Sequence, residues 1–339
     1  MSRQNFGSGG IFLWAERGIS DHGGIQGQPV LVSVVIPTYN RLPILRQCLT
    51  ALEQQIDLPE GDDFEVVLVD DGSTDDTVAW LRQHSADYSH VRLLQQDHGG
   101  PALGRNLGVD QARGELIVFI DSDLVVVPTF LREHLESLRR AWQRQGNRLC
   151  FTYGAVINTH NFDAPNQEPH KLSDLSWAYF ATGNVAIDRQ VLLESGVFDP
   201  SFRLYGWEDL ELGERLRRMG VQLVRCPAAV GYHWHPPLSL EQVPELIRKE
   251  RERAKMGLIF YRKHPTRRVR FIIQFTVLHR LLWELLTLGG LLNERSLRPL
   301  LAWLIRSGHP GVAMELLRLP LNRISVRALF DEARLAGVR

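Results

Sequence analysis

Asp121 and Asp123 stand one residue apart, directly after the apolar run Leu116-Ile117-Val118-Phe119-Ile120. Two hard carboxylate ligands at the mouth of a buried strand suit a Mg²⁺ or Mn²⁺ ion, and such an ion commonly holds phosphates. The same spacing also occurs in solvated turns, so the pair gains meaning from its company. An earlier apolar run ends in Pro37-Thr38-Tyr39-Asn40-Arg41, where Pro37 is expected to stop the strand ladder. The residues after it can meet a flat base by stacking and hydrogen bonding. A third run ends in Asp70-Asp71-Gly72-Ser73-Thr74. There a carboxylate can accept from a base N–H, or Ser73 and Thr74 can simply cap a helix. Further on, Trp207-Glu208-Asp209 offers an apolar platform for a sugar ring beside a carboxylate able to take a hydroxyl proton. An acidic first helical turn explains the same residues. Thr182-Gly183-Asn184 marks either a close backbone approach to a ligand or a bulge. His233-Trp234-His235 adds two imidazoles, acceptable ligands for Mn²⁺, of which one is expected to meet the ion.

These residues need a scaffold, and hydrophobic patterning supplies one. Strands are predicted at Leu31–Pro37, Phe64–Asp70, Val91–Gln96 and Glu115–Ile120, with helices at Leu42–Gln55, Asp75–His84 and Ala102–Arg113 between them. That alternation implies an α/β fold with a mostly parallel sheet covered by helices on both faces. Ligands of such sheets gather at the carboxyl ends of the strands, where the acidic residues lie. A helix at Pro128–Gln145 follows, then extended segments at Leu149–Asn158 and Tyr179–Asp188, a loop over His160–Leu172 and a helix at Trp207–Met219. Beyond Pro237 helices are predicted at Glu241–His264, Arg268–Leu288, Ser296–Arg306 and Val326–Leu335, with breaks at Gly289-Gly290, Gly308–Gly311 and Pro320.

Composition narrows the class. Formal charge is zero overall, but residues 241–339 hold 19 Lys and Arg against 9 Asp and Glu. Such a basic part can face an anionic surface, and Arg267, Arg268 and Arg270 ahead of Phe271-Ile272-Ile273 suit contact with a membrane surface. A helix packed on the rest of the protein with a solvated basic face is the plainer alternative. No nucleic-acid motif accompanies the charge, so nucleic acid is not expected as a partner. Cys48, Cys150 and Cys226 are far apart and odd in number, which fits a reduced cytoplasmic setting. The glycine-rich residues 1–30 read as a loose tail rather than a leader for secretion, and the charges within Phe271–Leu292 make that stretch a poor membrane span.

VSVVIPTYNR at 32–41, VVLVDDGSTDDT at 66–77, Gly100-Pro101 with Arg105-Asn106, and VFIDSD at 118–123 follow one another in an order and spacing that resemble the nucleotide-sugar half of family 2 glycosyltransferases. Their fold is GT-A, a Rossmann-like mixed sheet, and the resemblance covers roughly residues 31–237. It implies a domain over 31–240, with nucleotide-sugar and acceptor halves meeting near 125, and a basic helical extension over 241–339. It also implies that Pro37, Thr38, Tyr39 and Asn40 line the donor nucleotide, that Asp71 reads a uracil-like edge, and that Arg105 lies by base or phosphates. Asp121 would serve ribose and metal, and Asp123 the metal itself, with His233 as third ligand and His235 as the alternative. Gly183, Asn184, Trp207 and Glu208 would meet donor or acceptor sugar. Tyr205–Leu212 resembles the acceptor-side GWED segment of galactosyltransferase-like relatives, which makes Asp209 the base.

The implied activity is inverting transfer from a nucleotide diphosphate sugar, UDP-linked by expectation, to a glycan, glycolipid or other hydroxyl acceptor, with Mn²⁺ or Mg²⁺ as cofactor. Cell-envelope polysaccharide synthesis is the setting it suggests, in the cytoplasm or on the inner face of the membrane. Two other functions fit parts of the chain: transfer to a polyprenyl phosphate, which needs no base, and nucleotide-sugar binding without turnover beside another transferase. The chain has neither GxGxxG after its first strand nor a GxxxxGKS loop, which disfavours a dinucleotide dehydrogenase or a P-loop kinase.

Overall fold

The computed structural model describes residues 31–169, 174 and 178–338. The expected tail at 1–30 and the end of the loop, His170–Leu172, lie outside the described residues. From Leu31 the strands are short and rich in β-branched residues, and each is followed by a helix. They are β1 Leu31–Thr38, α1 Leu42–Glu53, β2 Asp63–Asp70, α2 Thr77–Gln83, β3 Val91–Gln95, α3 Pro101–Gln111 and β4 Leu116–Ile120. Next come β5 Leu124–Val126, α4 Phe130–Gln145, β6 Cys150–Thr159, β7 Asn184–Asp188, α5 Arg189–Glu194, α6 Glu208–Arg218 and β8 Gln222–Trp234.

Among the described residues these strands form one eight-stranded sheet in the order β3-β2-β1-β4-β7-β6-β8-β5. The first four are parallel, as right-handed βαβ crossovers require. β7 then runs antiparallel to both β4 and β6, β6 is parallel to β8, and β5 is antiparallel to β8. The sheet is therefore mixed, with a parallel half and an irregular half meeting at β4. Alternation along β1 sends Val34 and Ile36 into the core on one face and Val35 into the core on the other.

The chain divides into two compact units. One holds the sheet and comprises the residues up to Pro200 with Leu212–His235; the other comprises Ser201–Glu211 and the chain from Pro236 onward. The second unit is helical: α7 Val243–Lys263, α8 Arg267–Ile272, α9 Val277–Leu286, α10 Arg298–Arg306 and α11 Pro310–Leu335. It has its own apolar clusters, one around Phe202, Phe260, Val269 and Phe275, another around Leu238, Leu301 and Leu317. No described helix is long and apolar enough to cross a membrane.

Three expectations fail here for local reasons. β8 was not anticipated, because Pro227 and several exposed residues hide its alternation and its pairing with β6 shifts register at Gly154/Ala155. The single helix expected over 268–288 is two, broken at Gln274 (φ 61°) and restarted by Thr276, whose hydroxyl accepts from the His279 N–H. Pro320 does not end a helix: α11 runs through it, with Pro320 buried between buried Leu317 and Leu321. Apolar packing there outweighs the hydrogen bond that a proline removes.

Candidate functional site

The turn from β4 to β5 carries Asp121 and Asp123, closed by the Leu124 N–H donating to the Asp121 carbonyl at 3.1 Å. β8 lies against β5 with His233 opposite Leu124, and the Trp234 N–H donates to the Asp123 carbonyl at 2.9 Å. This register delivers an imidazole to the acid pair from more than a hundred residues away. One ligand atom from each of Asp121, Asp123 and His233 lies within 4.8 Å of the others. Two carboxylates and an imidazole are a donor set that Mn²⁺ accepts readily and Mg²⁺ tolerates.

Positive groups surround the same acids. Asp123 Oδ1 meets His233 Nε2 at 2.9 Å and its Oδ2 meets Arg41 Nη1 at 3.1 Å, while Arg105 Nη2 donates to Asp121 Oδ1 at 3.0 Å. Burial pushes the Asp123 carboxyl up, but the hydrogen bond and charge of His233, with Arg41, outweigh it and hold the group below the usual carboxylate range. For His233 the balance is reversed: burial lowers it, and Asp123 more than compensates, leaving the imidazole raised. His233 and His235 share a face, as residues two apart in a strand do, with ring centroids 4.1 Å apart. What distinguishes them is Asn158, whose Oδ1 lies 3.0 Å from His235 Nε2. Burial and the neighbouring His233 charge push His235 down to about 4. Gly183 brings backbone close as well, since a Cβ there would stand 3.4 Å from Asp121 Oδ2.

The carboxyl ends of β1, β2 and β3 hold the residues expected to take a base. Pro37 halts only one ladder, for it pairs with Val69 on β2 after the pairing to β4 has ended at Val35–Phe119. Thr38 is buried, and its Oγ1 has no hydrogen-bond partner among the described residues. A buried hydroxyl without a partner carries a cost that a ligand can relieve. Tyr39 is 42% exposed and stacks on His98, ring centroids 4.3 Å apart at 29°. Asp71 is buried; its carboxylate accepts the Gly99 and Gly100 N–H groups, each at 2.9 Å, and Gln96 Nε2 at 2.6 Å, and lies 2.9 Å from His98 Nδ1. It thus anchors the loop that carries His98 and starts α3. Gly100 enters that helix at φ +90°, which glycine adopts without strain.

Two expected contacts are corrected. Asn40, at φ +51°, spends its side chain on the turn after β2: its Oδ1 accepts the Thr74 and Asp75 N–H groups at 2.7 and 3.2 Å, and its Nδ2 donates to Thr74 Oγ1. Asn184 is fully buried, its Nδ2 donating to the Ala155 and Ala229 carbonyls at 2.9 Å and its Oδ1 facing His134 Nε2 at 2.8 Å. It ties the irregular half of the sheet together, fully buried and with both amide hydrogens engaged.

Trp207, Glu208 and Asp209 belong to the second unit, at the start of α6. Trp207 takes φ +76°, donates Nε1 to the Arg253 carbonyl at 2.8 Å and carries the Arg253 guanidinium over its ring at 4.5 Å. One face of the proposed sugar platform is therefore taken by protein. Glu208 is buried and Asp209 half-buried, with Asp209 Oδ1 accepting the Leu210 N–H at 2.7 Å. One turn on, buried Glu211 pairs with buried His264 at 2.8 Å.

Residues 33–195 match the family described as Glycosyl transferase family 2. The matched segment, just under half of the chain, carries the sequence character of that family. The chain is similar to an uncharacterized glycosyltransferase of Bacillus subtilis (strain 168), 24% identical over 269 residues that cover 63% of this chain and 67% of the relative. It is also similar to the hyaluronan synthase of Pasteurella multocida, 29% identical over 247 residues, 62% of this chain but only 25% of the synthase. Among solved structures, a mannosyltransferase of Pyrobaculum calidifontis in complex with GDP-Man and Mn²⁺ superposes with a TM-score of 0.53 at 19% identity, covering 90% of this chain and 88% of that one. The chain thus has a GT-A fold.

Two residues of this site, Arg41 and His98, had no assigned role from sequence. Arg41 closes the VSVVIPTYNR run, and His98 precedes Gly99-Gly100 in a polar loop. A basic or aromatic side chain at a strand end was the available signal for both.

Proposed function

We propose that this chain is a divalent-metal-dependent, inverting glycosyltransferase that moves a sugar from a nucleoside diphosphate sugar, a UDP-sugar by preference, to a hydroxyl of a glycan or glycolipid. The observation that carries it is the convergence of Asp121, Asp123 and His233 within 4.8 Å, in the same unit as the buried Thr38 hydroxyl and the Tyr39–His98 ring pair. Asp121, Asp123 and His233 would hold Mn²⁺ or Mg²⁺, which when bound supplies Lewis-acid neutralisation of the leaving diphosphate. Arg41 and Arg105, fixed against the two aspartates, add permanent positive charge on that side. Tyr39 and His98 offer flat surfaces for a base, and Thr38 Oγ1 a donor or acceptor for it. Asp209, by its place in the GWED segment, takes the proton of the acceptor hydroxyl. One base and one displacement invert the anomeric centre, with no covalent enzyme intermediate.

A panel of UDP- and GDP-sugars incubated with the protein, with Mn²⁺ or with chelator, tests this. Metal-dependent release of nucleoside diphosphate from one donor is expected, with the product anomer read by NMR. If no donor is turned over in any metal, the chain is a binding module and not a transferase.

A further inference from the structure

In the second unit α9 is an amphipathic helix with its polarity reversed. Its inward side is polar: Trp283 Nε1 donates to Gln274 Oε1 at 2.6 Å, Glu284 pairs with Arg323 and Arg327 of α11, and Thr287 just beyond is fully buried. Its outward side is leucine. Leu278, Leu281 and Leu285 are 63 to 71% exposed, Leu282 fills the stripe between them, and no residue of α9 is buried. Positions i, i+3, i+4 and i+7 form one helical face, and here that face is aliphatic and turned to solvent. Leu288 and Leu291 carry the apolar surface past the end of the helix.

An exposed apolar face of this kind needs an occupant. The charge around it selects one: residues 267–298 contain six arginines and two glutamates, and Glu284 is already neutralised. Arg280, on α9 itself, is exposed, with its guanidinium over the Phe330 ring of α11 on the side away from the leucines. A two-fold contact between copies sets a patch against itself and would bring these arginines together. The stripe is also aliphatic, where protein interfaces favour aromatic and methionine anchors. At ten residues α9 is far too short to span a bilayer, but it suits an in-plane position at the headgroup boundary.

We propose that the outward face of α9 is a docking surface for an anionic phospholipid bilayer, with the leucines entering the interface and the arginines meeting the headgroups. The sequence pointed instead to the Arg267–Ile273 junction; the structure takes Ile273 into the core at 4% exposure and leaves Phe271 outside. The proposal is independent of the reaction proposed above.

Flotation of the full chain with phosphatidylcholine vesicles, with and without phosphatidylglycerol, tests it. The chain should bind the anionic vesicles at low salt and be released toward roughly 1 M salt, where screening acts within about 3 Å. Changing Leu278→Gln, Leu281→Gln and Leu285→Gln together should lower binding by about tenfold or more while leaving circular dichroism and donor-sugar hydrolysis intact, since these side chains are mostly exposed and lie outside the buried clusters. Wild-type indifference to anionic vesicles overturns the proposal, as does full binding by the triple variant. A dimer seen by light scattering that the triple variant converts to monomer would overturn it too, and would assign the stripe to a second copy.

Discussion

Arg41 Nη1 stands 3.1 Å from Asp123 Oδ2, so a guanidinium from the end of β1 shares the carboxylate that is expected to hold the metal. A metal site that already contains fixed cations binds a lone ion weakly and gains most when an anionic ligand arrives with it. Donor and Mn²⁺ should therefore bind together. Calorimetry of UDP with Mn²⁺ should show clear heat, while UDP with chelator should show none. In Asp123→Ala the metal enhancement should disappear; equal affinity with and without Mn²⁺ in the wild-type protein would exclude the metal-centred reading.

The two histidines of β8 should separate cleanly. His233 Nε2 points at Asp123, whereas His235 Nε2 is occupied by Asn158. His233→Ala removes one of the three proposed protein ligands and should weaken Mn²⁺ by about tenfold or more. His235→Ala should change Mn²⁺ affinity by no more than about twofold on the same energy scale. Competition for Mn²⁺ followed by electron paramagnetic resonance gives both numbers, and an inverted order would move the ligand to His235.

Much of this site was legible because its parts lie beside their own strands. Asp71, Asp121 and Asp123 each follow an uninterrupted apolar run, so their places at strand ends could be read from order alone. Partners brought in by sheet topology could not. Asn184 looked like a pocket residue because Gly183 precedes it, and only the pairing of β7 with β4 and β6 shows that it is sealed inside the sheet. Asn40 looked like part of a base pocket, yet the turn after β2 comes close enough to consume its amide. α9 misled in another way: its leucine spacing is that of a core-facing helix, and nothing local in the sequence says that the polar side faces inward.

His134 links that sealed network to acid sensitivity. Its Nε2 lies 2.8 Å from Asn184 Oδ1 and its Nδ1 2.8 Å from Thr152 Oγ1, and with the Asn184 amide nitrogen donating elsewhere, Nε2 carries the proton. Complete burial pushes the imidazole down from 6.5 to about 4. Above pH 6.5 it is neutral whether the chain is folded or not, and the full stability is present. As pH falls from 6.5 to about 4 the unfolded chain takes up the proton and the folded one does not, so stability declines by about 3 kcal/mol. Urea unfolding between pH 4 and 7 should show this slope, on the order of one proton. His134→Gln should be less stable at pH 7 and should lose that part of the slope.

Asp209 offers the sharpest division between binding and chemistry. The residues proposed for the donor side, Thr38, Tyr39, Asp121, Asp123 and His233, all belong to the unit that holds the sheet, while Asp209 is assigned to the other. Asp209→Asn keeps the shape of the side chain and an oxygen able to accept the Leu210 N–H, so α6 should start as before. What it removes is the capacity to take a proton. General bases contribute about 10²–10⁴-fold, and transfer to acceptor should fall by that factor while UDP-sugar affinity stays within about twofold. The loss should appear in kcat rather than in KM for donor. Transfer within a few-fold of wild type would pass the role to Glu208, its buried neighbour in the same turn, and Glu208→Gln would then be the variant to carry the defect.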